Sequence, residues 1–197
     1  ALATVVTIRP ATFGAPTSPA SASRSVSINA SPIEIQRADY AQRLEDAMKR
    51  HGIRADQLAV EITESTAIED DHATQHNLQA LRSAGVMLCI DDFGVGMSSL
   101  HRLHATLAKR LKIDRYFVEG ITADAGRRTT IEMIIKLAES LQLDVVCEGV
   151  STAEHVAFLV DHGLHKAQGF YYPQPVAKDA MRRMLEAGYV PGQTALH

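Results

Sequence analysis

Only two cysteines, Cys89 and Cys147, occur among 197 residues. That is too few for a disulfide framework, and both sit inside apolar, strand-like runs. Reduced, buried thiols in a cytoplasmic setting are expected. No apolar run approaches the roughly 20 residues that a membrane helix needs, so this chain carries no membrane segment. Charge of one sign is also scarce: 20 Lys and Arg stand against 23 Asp and Glu, a formal net charge of -3. Such a balance offers no electrostatic footprint for coating nucleic acid, and nucleic acid is not expected as a partner. Acidic residues are missing altogether before Glu34. What is present is ordinary for a packed core: 46% of the residues are hydrophobic, which excludes a largely disordered chain.

Organisation changes near residue 25. Residues 1–24 are rich in Ala, Ser, Thr and Pro and read as an N-terminal segment. Val5, Val6 and Ile8 predict one short strand there, ended by Pro10. Residues 25–197 form the regular domain. Short apolar runs predict strands over Val26–Ile28, Leu58–Ile62, Met87–Ile90, Arg110–Ile113, Val145–Cys147 and Ala167–Tyr171. Between them apolar residues recur at helical spacing. They are Tyr40, Leu44, Ala47 and Met48; Leu78 and Leu81; Ile131, Ile134, Ile135 and Ala138; Val156, Leu159 and Val160; and Met181, Met184 and Leu185. Buried strands alternating with amphipathic helices specify an α/β fold with a mainly parallel sheet. Six βα units are evident, two short of a closed (βα)8-type, TIM-like barrel, so an incomplete barrel is expected.

The informative pattern is where polar groups fall. Strand after strand ends in a residue that can ligate metal or titrate: Asn29, then Glu61 with Glu64, then Asp91-Asp92. Lys112 with Asp114, Glu148, and Gln168 complete the series. In a parallel barrel these ends converge on one face, where catalysis occurs. A cluster of carboxylates with one amide oxygen suits Mg2+ or Mn2+ rather than zinc. Burying that much like charge without a cation costs several kcal/mol per uncompensated group, on the order of the penalty for unpaired buried ions. Taken singly, each residue has a plainer reading, because a strand-end carboxylate is more often a helix cap. Recurrence at six strand ends is what favours a site. His101, His104, His155 and His165 lack metal-ligand spacing and read as structural or surface residues.

At these residues the sequence resembles a known family. Asn29-Ala30-Ser31, Glu61-Ile62-Thr63-Glu64-Ser65 and Asp91-Asp92-Phe93-Gly94-Val95-Gly96 come in order. Leu111-Lys112-Ile113-Asp114, Glu148-Gly149-Val150 and Gln168-Gly169-Phe170 follow. Together they resemble the EAL family, bacterial phosphodiesterases that linearise cyclic di-GMP to pGpG. The resemblance implies two divalent cations, one on Asn29, Glu61 and Asp91, the other shared by Asp91 with Asp92 and Glu148. It further implies catalytic roles for Lys112, Glu148 and Gln168, with Asp114 and Gln168 facing substrate. A loop built on Phe93, Gly94 and Gly96 would be anchored by Glu64 and supported through Ser151.

Several positions depart from the family pattern. The Glu-Ala-Leu segment and its phosphate-contacting arginine are absent from these residues, as are the first two strands, unless Thr4–Ile8 replaces one. Ser151 stands where the family has a second Glu. Weakened metal binding and impaired hydrolysis are therefore expected of the chain as it stands. A signalling domain that binds cyclic di-GMP weakly, or a protein partner, is the leading expectation. An active phosphodiesterase and a protein-interaction regulator without nucleotide are the alternatives. Residues 1–24, a partner subunit (a homodimer or another protein) or a compact rearrangement is expected to cover the exposed strand edge.

Overall fold

The structure, a computed structural model, describes residues 6–7, 26–95 and 107–171. Seven strands follow in chain order: β1 (Val6–Thr7), β2 (Val26–Asn29), β3 (Leu58–Thr63), β4 (Met87–Phe93), β5 (Arg110–Ile113), β6 (Asp144–Cys147) and β7 (Lys166–Ala167). The helices are α1 (Pro32–Ile35), α2 (Tyr40–His51), α3 (Glu64–Ala67), α4 (His72–Ser83), α5 (Arg115–Val118), α6 (Ala125–Ser140) and α7 (Ala153–Asp161). They make one sheet in the order β1-β7-β6-β5-β4-β3-β2. Strands β2 to β7 run parallel, and β1 lies antiparallel to β7. This is the expected incomplete α/β barrel, with the short N-terminal strand present at Val6–Thr7 rather than inserted as another parallel unit.

Strand bounds match the apolar runs because the central strands are buried on both faces. Val60, Ile62, Ile90, Leu111, Ile113 and Val146 are all 2% exposed or less. Full burial of such a side chain stabilises by about 1.5–3 kcal/mol. The predicted helix faces pack onto this sheet, with Leu78, Leu81, Ile131, Ala138, Val156 and Leu159 at its surface. Met181, Met184, Leu185, His101 and His104 lie outside the described residues. One expectation needs correction: the last strand covers Lys166–Ala167, not Ala167–Tyr171. The chain turns away because Gly169, at φ 156°, is pressed onto the Val150 backbone.

Caps explain why each strand gives way to a helix. Ser31 and Glu34 form a reciprocal capping box around Pro32 at the start of α1. Thr63, Asp71, Asp114, Asp124 and Thr152 each accept a backbone N–H at the start of α3, α4, α5, α6 and α7. Asn77 does a different job. Its Nδ2 donates to the carbonyls of Ile35 at 2.7 Å and Arg37 at 2.8 Å, and its Oδ1 accepts from Ala41 N at 3.2 Å. One buried amide thereby ties α4 to the link between α1 and α2. At the N-terminal strand ends Asp144 bridges Arg110 at 2.9 Å and Lys166 at 2.6 Å, joining β5, β6 and β7.

Candidate metal and nucleotide site

Lys112 is the centre from which the site is built. It sits on β5 and is 3% exposed. Its ammonium donates to Glu61 Oε2 at 3.0 Å, Asp91 Oδ1 at 2.8 Å and Glu148 Oε1 at 2.5 Å. Those three carboxylates come from β3, β4 and the end of β6, so strand order brings them to β5 from both sides. Burial alone would pull the lysine down. Glu148 and Asp91 outweigh that and hold it above the ordinary lysine range.

Asp91 and Asp92 depend on a defect in the sheet. The β4–β5 register shifts between Ile90 and Phe93, and Asp92 has φ 52°, a left-handed conformation that Asp tolerates better than most side chains. In an unbroken strand neighbouring side chains point to opposite faces. The bulge lets two successive carboxylates reach one place. Carboxylate oxygens of Asp91, Asp92 and Glu148 lie within 4.8 Å of one another. Partial burial, then the adjacent Asp91 and Asp114 charges, push the Asp92 carboxyl up. Burial also raises Glu148, although Lys112 partly offsets it. Three hard oxygen donors at this separation fit a divalent cation of the Mg2+ or Mn2+ type.

The remaining predicted residues fall around this cluster. Asn29 ends β2 in register with Glu61 and is exposed. Glu64, 6% exposed, accepts from Gly94 N at 3.0 Å and so ties α3 to the segment after β4, next to the buried Phe93. Gly96 lies outside the described residues. Asp114 accepts from Tyr116 N at 2.8 Å, which makes it the cap of α5 as well as a neighbour of Asp92. Ser151 has an exposed side chain, while its N–H donates to His155 Nδ1 at 3.4 Å. Gln168 keeps a buried Oε1 with no hydrogen-bond partner.

Two glycines set the spacing of the strand-end loops. A Cβ on Gly149, at φ 72°, would come 2.5 Å from Arg115 Cβ and 3.1 Å from its Cα. A Cβ on Gly169 would come 2.2 Å from Val150 O. Around this contact Val150 N donates to Gln168 O at 3.1 Å, and Tyr171 N donates to Val150 O at 2.9 Å. Sequence reasoning read these glycines only as parts of motifs. It missed Asn77 and the bulge, for which local sequence carries no signal.

Comparison with known proteins decides the family. The EAL domain model matches residues 14–175. The chain belongs to the EAL domain family. Protein Rv1354c of Mycobacterium tuberculosis is 36% identical over 164 residues, 83% of this chain and 26% of that protein. The bifunctional diguanylate cyclase/cyclic di-GMP phosphodiesterase MucR of Pseudomonas aeruginosa is 34% identical over 156 residues, 79% of this chain and 23% of MucR. This EAL chain thus spans about a quarter of the length of these relatives. Among solved structures, the EAL domain of Mycobacterium smegmatis DcpA superposes with a TM-score of 0.78 at 34% identity, covering 85% of this chain and 75% of that one. Klebsiella pneumoniae BlrP1, in a complex with manganese and cyclic di-GMP, superposes with a TM-score of 0.72 at 32% identity, covering 78% and 40%. Among the described residues of this EAL chain, no helix is long and apolar enough to cross a membrane.

Proposed function

We propose that the chain binds cyclic di-GMP at two divalent cations, Mg2+ or Mn2+, and that these 197 residues by themselves hydrolyse it slowly. The observation that carries this reading is the convergence of the Asp91, Asp92 and Glu148 oxygens beside Lys112. Asn29, Glu61 and Asp91 would hold one cation, and Asp91, Asp92 and Glu148 the other. When bound, such a pair clamps a phosphodiester and acidifies the attacking water.

The side chains supply the rest. Lys112, an ammonium enclosed by the site's carboxylates, would donate to the attacking water or to a phosphate oxygen as negative charge develops. Glu148, within reach of both the cluster and Lys112, would hold a cation and position the attacking water. The unpartnered Gln168 Oε1 accepts a hydrogen bond from water or nucleotide. Slow turnover follows from the ligand count. No carboxylate precedes Glu34, so within these residues the first cation has only Asn29, Glu61 and Asp91. Ser151, moreover, offers a hydroxyl rather than a charge.

A second reading, a fully active phosphodiesterase, is favoured by the complete set of Lys112, Asp91, Asp92 and Glu148 around one point. Calorimetric titration of cyclic di-GMP in Ca2+, followed by a pGpG assay in Mn2+, separates the two. Saturable binding with slow pGpG formation is expected. Rapid multiple turnover would support the second reading, and no heat from folded protein would overturn both.

A further inference from the structure

We infer that Arg115 is the phosphate-binding arm of this site, its guanidinium reaching a non-bridging phosphate oxygen of the bound dinucleotide; this rests on the nucleotide reading above. Arg115 opens α5 directly after Asp114, and its Cα and Cβ pack on Gly149, the neighbour of Glu148. Its base is therefore fixed at the rim of the carboxylate cluster, while the residue as a whole is exposed.

Among the described residues, several basic side chains of the neighbouring strands and helices are already engaged. Lys112 is enclosed by three carboxylates. Arg127 donates to Tyr116 O at 2.8 Å and lies 4.0 Å over the Tyr116 ring. Arg128 donates to Ile121 O at 3.2 Å, and Arg110 and Lys166 are paired with Asp144 at the far strand ends. Arg115 makes no side-chain hydrogen bond or ion pair among the described residues, although Asp114 and Glu148 flank it. Those two carboxylates are turned to Tyr116 N and to Lys112. An arginine that passes over adjacent carboxylates stays available to an incoming anion.

The ligand chemistry matches. A cyclic dinucleotide brings two phosphodiester anions toward a mouth rich in carboxylates. Cations bound to those carboxylates compensate one side, and a rim guanidinium supplies a directional fork on the other. A lysine at the same position would keep the charge and lose the fork.

The test uses the full chain with Arg115→Gln and Arg115→Lys. Cyclic di-GMP is titrated in Ca2+, and Mn2+ is titrated alone. Arg115→Gln is expected to weaken nucleotide binding about ten- to a hundredfold, with Arg115→Lys recovering part of it. Mn2+ affinity and melting temperature should match the parent chain. Unchanged nucleotide affinity in Arg115→Gln overturns the inference. A parallel loss of Mn2+ affinity overturns it too, because Arg115 would then be bracing the Glu148 loop through Gly149. If the parent chain binds no nucleotide, the failure belongs to the underlying reading and takes the inference with it.

Discussion

Replacing Lys112 with methionine removes the ammonium that Glu61, Asp91 and Glu148 share. Lys112 and Glu61 are almost wholly buried, at 3% and 4% side-chain exposure. Taking one partner from a buried ion pair costs about 3–5 kcal/mol, because the remaining charge is left without compensation. Asp91 and Glu148 are less buried, at 18% and 17%, and can recover part of this by hydration and proton uptake, so the lower half of the range is expected. In a domain of this size each kcal/mol moves the melting temperature by roughly 2–4 °C, which gives about 6–12 °C at 3 kcal/mol. The assay is thermal denaturation of parent and Lys112→Met in EDTA and again in Mn2+. The variant should melt lower in EDTA and gain more from Mn2+ than the parent, since the cation replaces the lost positive charge. A variant that melts with the parent in EDTA, or that gains no more from Mn2+, would refute the argument that Lys112 neutralises this cluster.

Asn77→Leu removes three hydrogen bonds and leaves the Ile35 carbonyl and the Ala41 N–H without their partner, while Arg37 O keeps its bond from Tyr40 N at 3.0 Å; a loss of about 2–3 kcal/mol is expected, and an unchanged urea midpoint would contradict it. Gly169→Ala drives a Cβ into the Val150 carbonyl, so it should cost about 1–3 kcal/mol or more and weaken Mn2+ binding by displacing the Glu148 loop; full Mn2+ affinity would show that this spacing is not needed. Asp71 is held below its ordinary value of 3.8 by the Thr74 N–H that it caps. A depressed carboxylate stabilises fully above its unfolded pKa and loses that contribution as pH falls through the folded one. Melting curves of Asp71→Ala should therefore lie below the parent at pH 7 and converge with it in acid; a gap that persists below the carboxylate range would mean that the cap acts by something other than its charge.

Strand positions were legible because a strand buried on both faces reads as a continuous apolar run. Arg110–Ile113 coincides with β5 residue for residue, and Leu58–Ile62 and Met87–Ile90 fall inside β3 and β4. Helix faces were legible for the same reason, through Leu78 and Leu81 or Ile131, Ile134 and Ile135. Ala167–Tyr171 was read too long because apolar and aromatic residues continue past the point where Gly169 meets Val150. That stop comes from a residue 19 positions earlier in the chain. The plainer reading of a strand-end carboxylate as a helix cap holds for Asp114, which caps α5 and also neighbours Asp92.

Alternation of strand and helix, the polar residue at each strand end and membership of the EAL family were all determined by the sequence itself, since each depends on neighbours a few residues apart or on ordered motifs. Which carboxylates meet was not. Glu61 and Lys112 are 51 residues apart, and they touch only because β3, β4, β5 and β6 align in that order and register. The bulge at Asp91-Asp92 then turns two successive side chains toward the same point, against the alternation that a strand imposes. Convergence of charge is a property of strand pairing, and pairing energy is decided across the whole sheet rather than within any one segment.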